Sequence, residues 1–307
     1  MKVDGMNRVP DFYIVGGPKC GTTALFEYLN QHPQIFMPNR KEINYFGKDL
    51  QFKNYNMDFD YYCSLFSNAS KTQVIGEASV WSLYSKKAAK EIFKVNPDSK
   101  IIIILRDPTK LIYSLYYELL HTGDEDAKSF EDALSLESQR TNGECIPKRA
   151  FAIHSTRYRD IATFSKQVKR YLDVFGEERV KILIQEEMND NTMQTVKDVY
   201  SFLQVNEQFI PNIKKHNINK TVRFRWLRNL VHRPPIFIRK IARFIIRNRS
   251  GREVLTSFMV LLNKKVNTRY SERPKINKPT DKMLRSYFKR DIEKLEKLIN
   301  KDLSHWL

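Results

Sequence analysis

The chain has 307 residues, 53 Lys and Arg against 35 Asp and Glu, and a formal net charge of +18. Its apolar runs all fall far short of the about 20 residues that cross a bilayer, so we expect no transmembrane helix, and its three scattered cysteines exclude a disulfide framework and indicate a reducing compartment. No signal peptide precedes the first predicted strand, and we therefore expect a cytoplasmic protein with one large α/β core.

The first predicted element is a short apolar strand that begins at Phe12, followed by a turn between glycines and then a helix. This arrangement directs backbone N–H groups and the N-terminus of the helix at one point, where an anion can bind. Lys19, in the middle of the turn, adds a positive charge at the same place. The sequence therefore predicts a site for a phosphate-like group. The residues that form it are Gly17, Pro18, Lys19, Cys20, Gly21, Thr22 and Thr23.

The turn differs from the Walker A loop of nucleoside triphosphatases, G-x-x-x-x-G-K-[ST]. Gly16 and Gly21 have the Walker separation, but Thr22 occupies the position of the Walker lysine, and the lysine of this chain comes earlier, at Lys19. A lysine at mid-loop lies closer to the first phosphate and its bridging oxygen than to the β- and γ-phosphates. No clear acidic residue of the Walker B type follows the later apolar run. A kinase that uses a nucleoside triphosphate is therefore a disfavoured alternative.

Further along the chain, the continuous apolar run 101–105 is typical of a strand that is buried on both faces of a parallel sheet. Arg106 follows it directly, and Pro108 then suits the first position of a helix that Asp107 can cap. Arg106 is therefore expected at the carboxyl end of a strand, where open α/β sheets bind ligands. Ser114 comes about two helical turns later. An arginine and a serine in this pattern can hold one phosphate together.

Strand-like and helical patterns alternate along the chain. Strands are predicted near 12–16, 72–77, 101–105 and 180–184, and helices near 22–30, 86–94, 108–121, 155–174, 190–203 and 281–300. This alternation predicts an α/β protein with a parallel central sheet flanked by helices. We expect a single domain, with an α/β core at 10–215 and a basic helical C-terminal region at 216–307.

The two phosphate motifs together resemble those of the sulfotransferases that use 3′-phosphoadenosine 5′-phosphosulfate (PAPS). The run 17–23 is similar to their 5′-phosphosulfate loop, and the run from Ile104 to Ser114 is similar to their 3′-phosphate motif. The chain resembles most the bacterial carbohydrate-type enzymes and the heparan sulfate sulfotransferases, which have a K-E-P-H-F-F-like run where this chain has residues 41–46. The resemblance implies a P-loop-like sulfotransferase fold with PAPS as the co-substrate. We expect no metal, because the three cysteines are far apart and no His-x-x-His pair occurs. Animal enzymes of the heparan sulfate branch are membrane-anchored, so the lack of a predicted transmembrane helix favours a bacterial cytoplasmic enzyme.

The resemblance also implies catalytic roles for single residues. Lys19 would stabilise the charge on the leaving phosphate oxygen. Glu42 matches the glutamate that is the proposed base in the heparan sulfate branch, and it would take the proton of the attacking group. Ile43 and Asn44 replace the usual Pro and His, and an asparagine cannot take up a proton near neutral pH. His121 is the second candidate for the base.

Residues 220–275 carry sixteen Lys and Arg against two Glu. By the resemblance, a loop at Lys220 and Arg223 closes over the nucleotide, and Tyr158 contacts the adenine or the 3′-phosphate. The amphipathic basic run 236–247 is compatible with contact with a membrane surface, with an anionic acceptor such as a polysaccharide, or with a helix packed on the core.

The expected acceptor is a hydroxyl, amine or amide nitrogen of a carbohydrate or a small-molecule natural product, with no nucleic acid as a partner. The strong positive charge leaves one further alternative, a non-enzymatic basic protein that binds nucleic acid or an acidic glycan. The two classes differ in their dependence on the phosphate motifs. Only the enzyme requires both Lys19 and Arg106.

Overall fold

The structure is a computed structural model that describes residues 8–53, 55–213 and 274–307, together with the backbone of 220–222 and 268–270. Its strands are β1 (Phe12–Ile14), β2 (Ile35–Phe36), β3 (Val74–Ala78), β4 (Lys100–Leu105), β5 (Val180–Ile184), β6 (Lys220–Val222) and β7 (Thr268–Tyr270). Its helices are α1 (Thr22–Leu29), α2 (Phe59–Ser64), α3 (Trp81–Tyr84), α4 (Ala88–Val95), α5 (Pro108–Thr122), α6 (Phe130–Ser135), α7 (Glu137–Thr141), α8 (Tyr158–Ile161), α9 (Ser165–Phe175), α10 (Gln185–Asp190), α11 (Thr192–Leu203) and α12 (Lys278–Ile299).

Five parallel strands form the central sheet in the order β2-β3-β1-β4-β5. β1 lies between β3 and β4, with Tyr13 opposite Glu77 on one side and Ile101 on the other. Because the strands all run in the same direction, the loops that follow β1, β3 and β4 meet at one edge of the sheet. The predicted parallel α/β architecture is confirmed. The sequence does not predict β2, because a strand of two residues is too short to produce a pattern.

The core covers both faces of the sheet. Every residue of β4 from Ile101 to Leu105 is 0 % exposed, as expected for a strand with helices on both sides. The C-terminal helix α12 contributes the buried side chains of Leu284, Phe288, Ile292 and Leu295 to the same core. Asp291 of this helix also accepts a hydrogen bond from the backbone N–H of Phe164 at 2.7 Å, just before α9. The described end of the chain is therefore part of the α/β unit.

The structure differs from the sequence prediction over 155–174, where a 3₁₀ turn, α8 and α9 replace one continuous helix. The Gln167 side-chain amide donates to three backbone oxygens of residues 160–163, at 2.9 to 3.1 Å. Asp291 accepts from the backbone N–H of Ser165 at the start of α9. Polar side chains thus satisfy backbone groups at the break, so that the helix can end and start again at low energetic cost.

β6 and β7 pair with each other in an antiparallel ribbon. Lys220 is the first residue of β6, but its side chain lies outside the described residues, as do Arg223 and the run 236–247, and their predicted roles stay predictions. The division into 10–215 and 216–307 also stays a prediction. Within the ranges that the structure describes, no helix combines the length and the apolar character that a bilayer crossing requires.

Candidate active site

The loop between β1 and α1 passes very close to β4. A Cβ atom on Gly16 would lie 2.5 Å from the backbone nitrogen of Ile104, so only glycine fits there. Gly17 then donates its N–H to the Ile104 carbonyl at 3.2 Å. Gly21 has a φ of 93°, and α1 begins directly after it without a side chain that could cap the helix. Ala24 already donates its N–H to the Gly21 carbonyl at 3.0 Å, so the N–H groups of Thr22 and Thr23 are those that an anion would meet at the start of α1.

Arg106 joins the second motif to this loop. Its Nη1 donates to the backbone oxygen of Lys19 at 3.0 Å. The buried Asp107 caps α5, because its Oδ1 accepts from two first-turn N–H groups at 2.9 and 3.2 Å. This cap confirms the sequence prediction. Ser114 follows in the same helix and is 4 % exposed. The two predicted motifs thus meet at the carboxyl ends of the neighbouring strands β1 and β4.

Lys19 has a positive φ of 64° and extends its side chain to α5. Its Nζ lies 2.9 Å from Oε2 of Glu118, with the two side chains 29 % and 46 % exposed. Water and salt weaken an ion pair of this kind, so a more highly charged anion can compete for the lysine. Glu118 was not predicted as a site residue. Its position four residues after Ser114, on the same face of α5, was the available signal.

Glu42 lies at the carboxyl end of β3. Its backbone N–H donates to the Ala78 oxygen at 2.9 Å, and its Oε2 accepts from the Val80 N–H at 3.1 Å. The other carboxylate oxygen pairs with the ammonium group of Lys41. Glu42 has a φ of 59°, which residues other than glycine rarely adopt. These contacts hold the Glu42 carboxylate at the end of β3, the strand next to β1, and 33 % of the side chain is exposed.

A second carboxyl group, that of Glu77, is buried in β3 close to Glu42. It accepts a hydrogen bond from the Ser79 hydroxyl, which in turn accepts the backbone N–H of Asn44 at 2.8 Å. Burial raises the pKa of Glu77 to about 8, and the charge of Glu42 acts in the same direction. Through the Ser79 hydroxyl and the Asn44 N–H, Glu77 helps to hold the segment that carries Glu42. The sequence analysis missed it, although an acidic residue in an otherwise apolar strand is an unusual feature.

Replacing Glu77 with Gln is expected to stabilise the protein increasingly as the pH rises. The folded chain holds this proton up to about pH 8, whereas the unfolded chain releases it near 4.5. The folded state therefore binds more protons between these values, so the wild-type protein loses stability as the pH rises through this window. Thermal unfolding midpoints of Glu77→Gln and wild type, measured from about pH 4 to 9, should diverge. Exposed Glu178→Gln is the control, and a Glu77→Gln difference that stays constant with pH would contradict the assignment.

Cys20 and the two threonines complete the phosphate loop. Cys20 is fully buried, its Sγ contacts the Pro18 carbonyl at 3.6 Å, and burial raises the pKa of the thiol. A thiol in this state is a packing residue and a poor nucleophile. Thr22 is buried at the first position of α1, and Thr23 is exposed beside it.

Tyr158 lies in the core. Its hydroxyl donates to Glu125 at 2.6 Å, and that carboxylate also accepts two hydrogen bonds of 2.7 Å from Arg140. Tyr158 is 0 % exposed, so contact with a nucleotide would require this cluster to be uncovered, and the contact stays a prediction. His121 lies in the last turn of α5, beyond Ser114. Among the described residues, no three metal-ligating side chains form a group that could hold an ion.

Residues 9–275 match the family model described as "Sulfotransferase domain". The human heparan sulfate glucosamine 3-O-sulfotransferase 5 is 25 % identical over 229 residues, which are 73 % of this chain and 61 % of the human protein. The human bifunctional heparan sulfate N-deacetylase/N-sulfotransferase 3 is 28 % identical over 206 residues, which are 65 % of this chain and 23 % of that protein. The chain therefore spans less than two thirds of the length of these relatives.

A solved structure extends the likeness to nearly the whole chain. The crystal structure of a sulfotransferase from Alicyclobacillus acidocaldarius matches with a TM-score of 0.71 and 28 % identity, over 97 % of this chain and 99 % of that chain. The family match includes the phosphate loop, the strand β4 and the helix α5 that carries Ser114. On these grounds the chain belongs to the family of proteins with a sulfotransferase domain.

Proposed function

We propose that this protein is a PAPS-dependent sulfotransferase, which transfers the sulfuryl group of PAPS to a hydroxyl, amine or amide nitrogen of a carbohydrate or a small-molecule natural product. The observation that carries the proposal is the hydrogen bond from Arg106 to the Lys19 carbonyl. It brings together two motifs that each suit a phosphate, one after β1 and one after β4. A donor with a phosphosulfate on one side of its ribose and a phosphate on the other requires such a pair.

The donor has one binding region at each motif. We assign the 5′-phosphosulfate to the loop residues 17–21, with Thr22 and Thr23 at the start of α1. We assign the 3′-phosphate to Arg106 and Ser114, because a guanidinium group and a hydroxyl can together donate to several phosphate oxygens. Three further donor contacts remain predicted from the family resemblance: Tyr158, Lys220 and Arg223.

The proposed transfer breaks the bond between sulfur and the oxygen of the leaving 5′-phosphate. A new bond forms between sulfur and the acceptor oxygen or nitrogen, and the acceptor proton passes to Glu42. Negative charge grows on the leaving phosphate oxygen, where Lys19 and the N–H groups at the start of α1 stabilise it. For this role, Lys19 must leave Glu118 and bind the donor instead. The ion pair between Lys19 and Glu118 is partly exposed, which permits this change of partner. The proposed roles need no metal.

Glu42→Gln is expected to lower kcat by about 10²- to 10⁴-fold, which is the usual contribution of a general base. Glutamine keeps the shape of the side chain and can still accept from the Val80 N–H, but it cannot take up a proton near neutral pH. Binding of adenosine 3′,5′-bisphosphate should therefore stay unchanged in calorimetry. His121→Asn is the comparison: a Glu42 variant with full turnover beside an inactive His121 variant would transfer the role of base to the histidine.

Nucleotide binding separates the proposal from its alternatives. Binding of adenosine 3′,5′-bisphosphate without Mg²⁺ supports the sulfotransferase, whereas binding of ATP that depends on Mg²⁺ supports a kinase. A non-enzymatic protein for acidic glycans or nucleic acid would keep its binding in both Lys19→Ala and Arg106→Ala. The decisive assay is transfer of labelled sulfate from PAPS to an extract of candidate acceptors.

The acceptor is proposed only as a class. The human relatives are named for heparan sulfate, which supports a carbohydrate acceptor. The fold does not decide between a sugar and another small molecule, because acceptor pockets are shaped by individual side chains. The cytoplasmic location, the absence of a nucleic-acid partner and the membrane contact through 236–247 remain predictions.

A further inference from the structure

A cavity of about 630 Å³ lies beside α3, the short helix that begins one residue after the Val80 N–H bonded to Glu42. None of its lining residues belongs to the two phosphate motifs. Four cationic side chains line the cavity and outnumber the carboxylates by two. The cations are Lys86, Arg157, Lys166 and Arg170, and the carboxylates are Asp49 and Asp160.

Neither arginine of the cavity forms an ion pair with a carboxylate among the described residues, although the charge of Asp49 acts on Arg170 from a longer distance. Arg170 Nη2 donates to the carbonyl oxygens of Leu83 and Tyr84, at 3.3 and 3.2 Å. Arg157 Nη2 lies 3.5 Å from the carbonyl oxygen of Thr141. Carbonyl groups anchor a guanidinium group without removing its charge. In both arginines the Nε atom is buried and has no hydrogen-bond partner in the described structure.

The carboxylates of the cavity have other partners. Asp49 accepts from the Ser85 hydroxyl and from the backbone N–H of Lys86, at the end of α3. Asp160 accepts from the Tyr84 hydroxyl at 3.4 Å. Neither carboxylate forms an ion pair with the lining cations in the part of the chain that the structure describes. The cavity therefore keeps a positive field in a partly covered space, where charge acts more strongly than on an open surface.

His154 is a further polar residue at the cavity. His154 lines the cavity, is 5 % exposed, and has no hydrogen-bond partner for its Nε2 among the described residues. Its ring packs against the Trp81 ring with 4.7 Å between the ring centroids. Because these Nε and Nε2 atoms are fully buried, a ligand in the cavity would meet the terminal nitrogens of the Arg157 and Arg170 guanidinium groups.

We propose that this cavity is a second anion-binding site, in which Arg157 and Arg170 hold a carboxylate, sulfate or phosphate group and Lys86 and Lys166 add positive charge. Guanidinium groups suit these planar or tetrahedral oxyanions. The volume lies in the range of small-molecule sites and exceeds what one oxyanion needs. The anionic group therefore has two possible sources, an acidic substituent of the acceptor or a separate small oxyanion.

Calorimetric titration with inorganic sulfate tests the site, with adenosine 3′,5′-bisphosphate at saturation so that both phosphate motifs are occupied. We expect sulfate binding to the wild type, and at least about tenfold weaker binding to the double variant Arg157→Gln/Arg170→Gln, because each lost charge-assisted bond contributes strongly. Lys166→Gln, which replaces an exposed side chain, should weaken sulfate binding without affecting the fold. Lys169→Gln, on the same helix but outside the cavity, is the matched control.

Two results would overturn the proposal. One is sulfate affinity in the arginine and Lys166 variants equal to that of the wild type, with unfolding midpoints unchanged. The other is no sulfate binding by the wild type at all. The source of the anion can be identified from steady-state kinetics with any acceptor that the enzyme uses, measured with and without added sulfate. If sulfate raises the KM for the acceptor and leaves kcat unchanged, the cavity binds an acidic group of the acceptor. If sulfate binds without this competition, the cavity binds a separate oxyanion. The calorimetric titration with sulfate does not depend on turnover, so its result remains valid even if the proposed sulfotransferase activity is not found.

Discussion

Lys19→Ala lowers kcat by about 10²- to 10³-fold at saturating PAPS and acceptor, as expected when a donor to a developing negative charge is removed. In the proposed mechanism the ammonium group acts on the leaving phosphate oxygen, whose charge grows only as the sulfur–oxygen bond breaks. Binding of the intact donor should therefore change much less than kcat. Rates at saturating substrates, with the affinity for adenosine 3′,5′-bisphosphate measured separately, separate the two effects.

Two variants serve as controls for Lys19. Glu118→Gln removes the carboxylate that holds Lys19 at 2.9 Å, and it should leave kcat within about threefold of the wild type because the lysine itself is retained. Lys169→Ala removes an exposed lysine that pairs with Asp173 on the surface of α9, and it should have no effect. A Lys19 variant with a raised KM and an unchanged kcat would show that this lysine only binds the donor.

Arg106→Ala weakens the binding of adenosine 3′,5′-bisphosphate by about 10- to 100-fold, since hydrogen bonds between charged groups contribute about 1.5–3 kcal/mol. The arginine also holds the Lys19 carbonyl at 3.0 Å, so its loss can loosen the phosphate loop as well. Adenosine 5′-phosphosulfate distinguishes the two effects because it lacks the 3′-phosphate. Calorimetry gives the affinity of each variant for both nucleotides, and we divide the affinity for adenosine 3′,5′-bisphosphate by that for adenosine 5′-phosphosulfate. A looser phosphate loop weakens both nucleotides alike, so it does not change this ratio.

We expect the ratio of the affinity for adenosine 3′,5′-bisphosphate to that for adenosine 5′-phosphosulfate to fall in Arg106→Ala. It should fall less in Ser114→Ala, because that variant removes a neutral hydrogen-bond donor and not a charged one. Arg179→Ala, a partly exposed arginine near Asp98, is the matched control and should leave the ratio unchanged. Equal weakening of both nucleotides in Arg106→Ala would mean that the arginine only organises the loop. The 3′-phosphate would then need another partner.

Most of the fold could be predicted because its elements have strong local patterns. The apolar run 101–105, the Asp107–Pro108 helix start and the glycine turn before Thr22 are each formed by neighbouring residues. The single helix predicted over 155–174 was wrong, because Gln167 and the distant Asp291 stabilise a break that periodicity cannot show.

The candidate site also has one part that the sequence predicts and one part that depends on the tertiary structure. The sequence by itself determined which residue types follow β1 and β4, and it predicted Lys19 and Arg106 as phosphate-binding residues, because the chemistry of a phosphate loop lies within a few consecutive positions. Only the tertiary structure decided that Lys19 pairs with Glu118, that Glu77 lies close to Glu42, and which cations have no carboxylate partner among the described residues. These features depend on contacts between segments that are far apart in the chain, and such contacts exist only once the sheet brings the strand ends together.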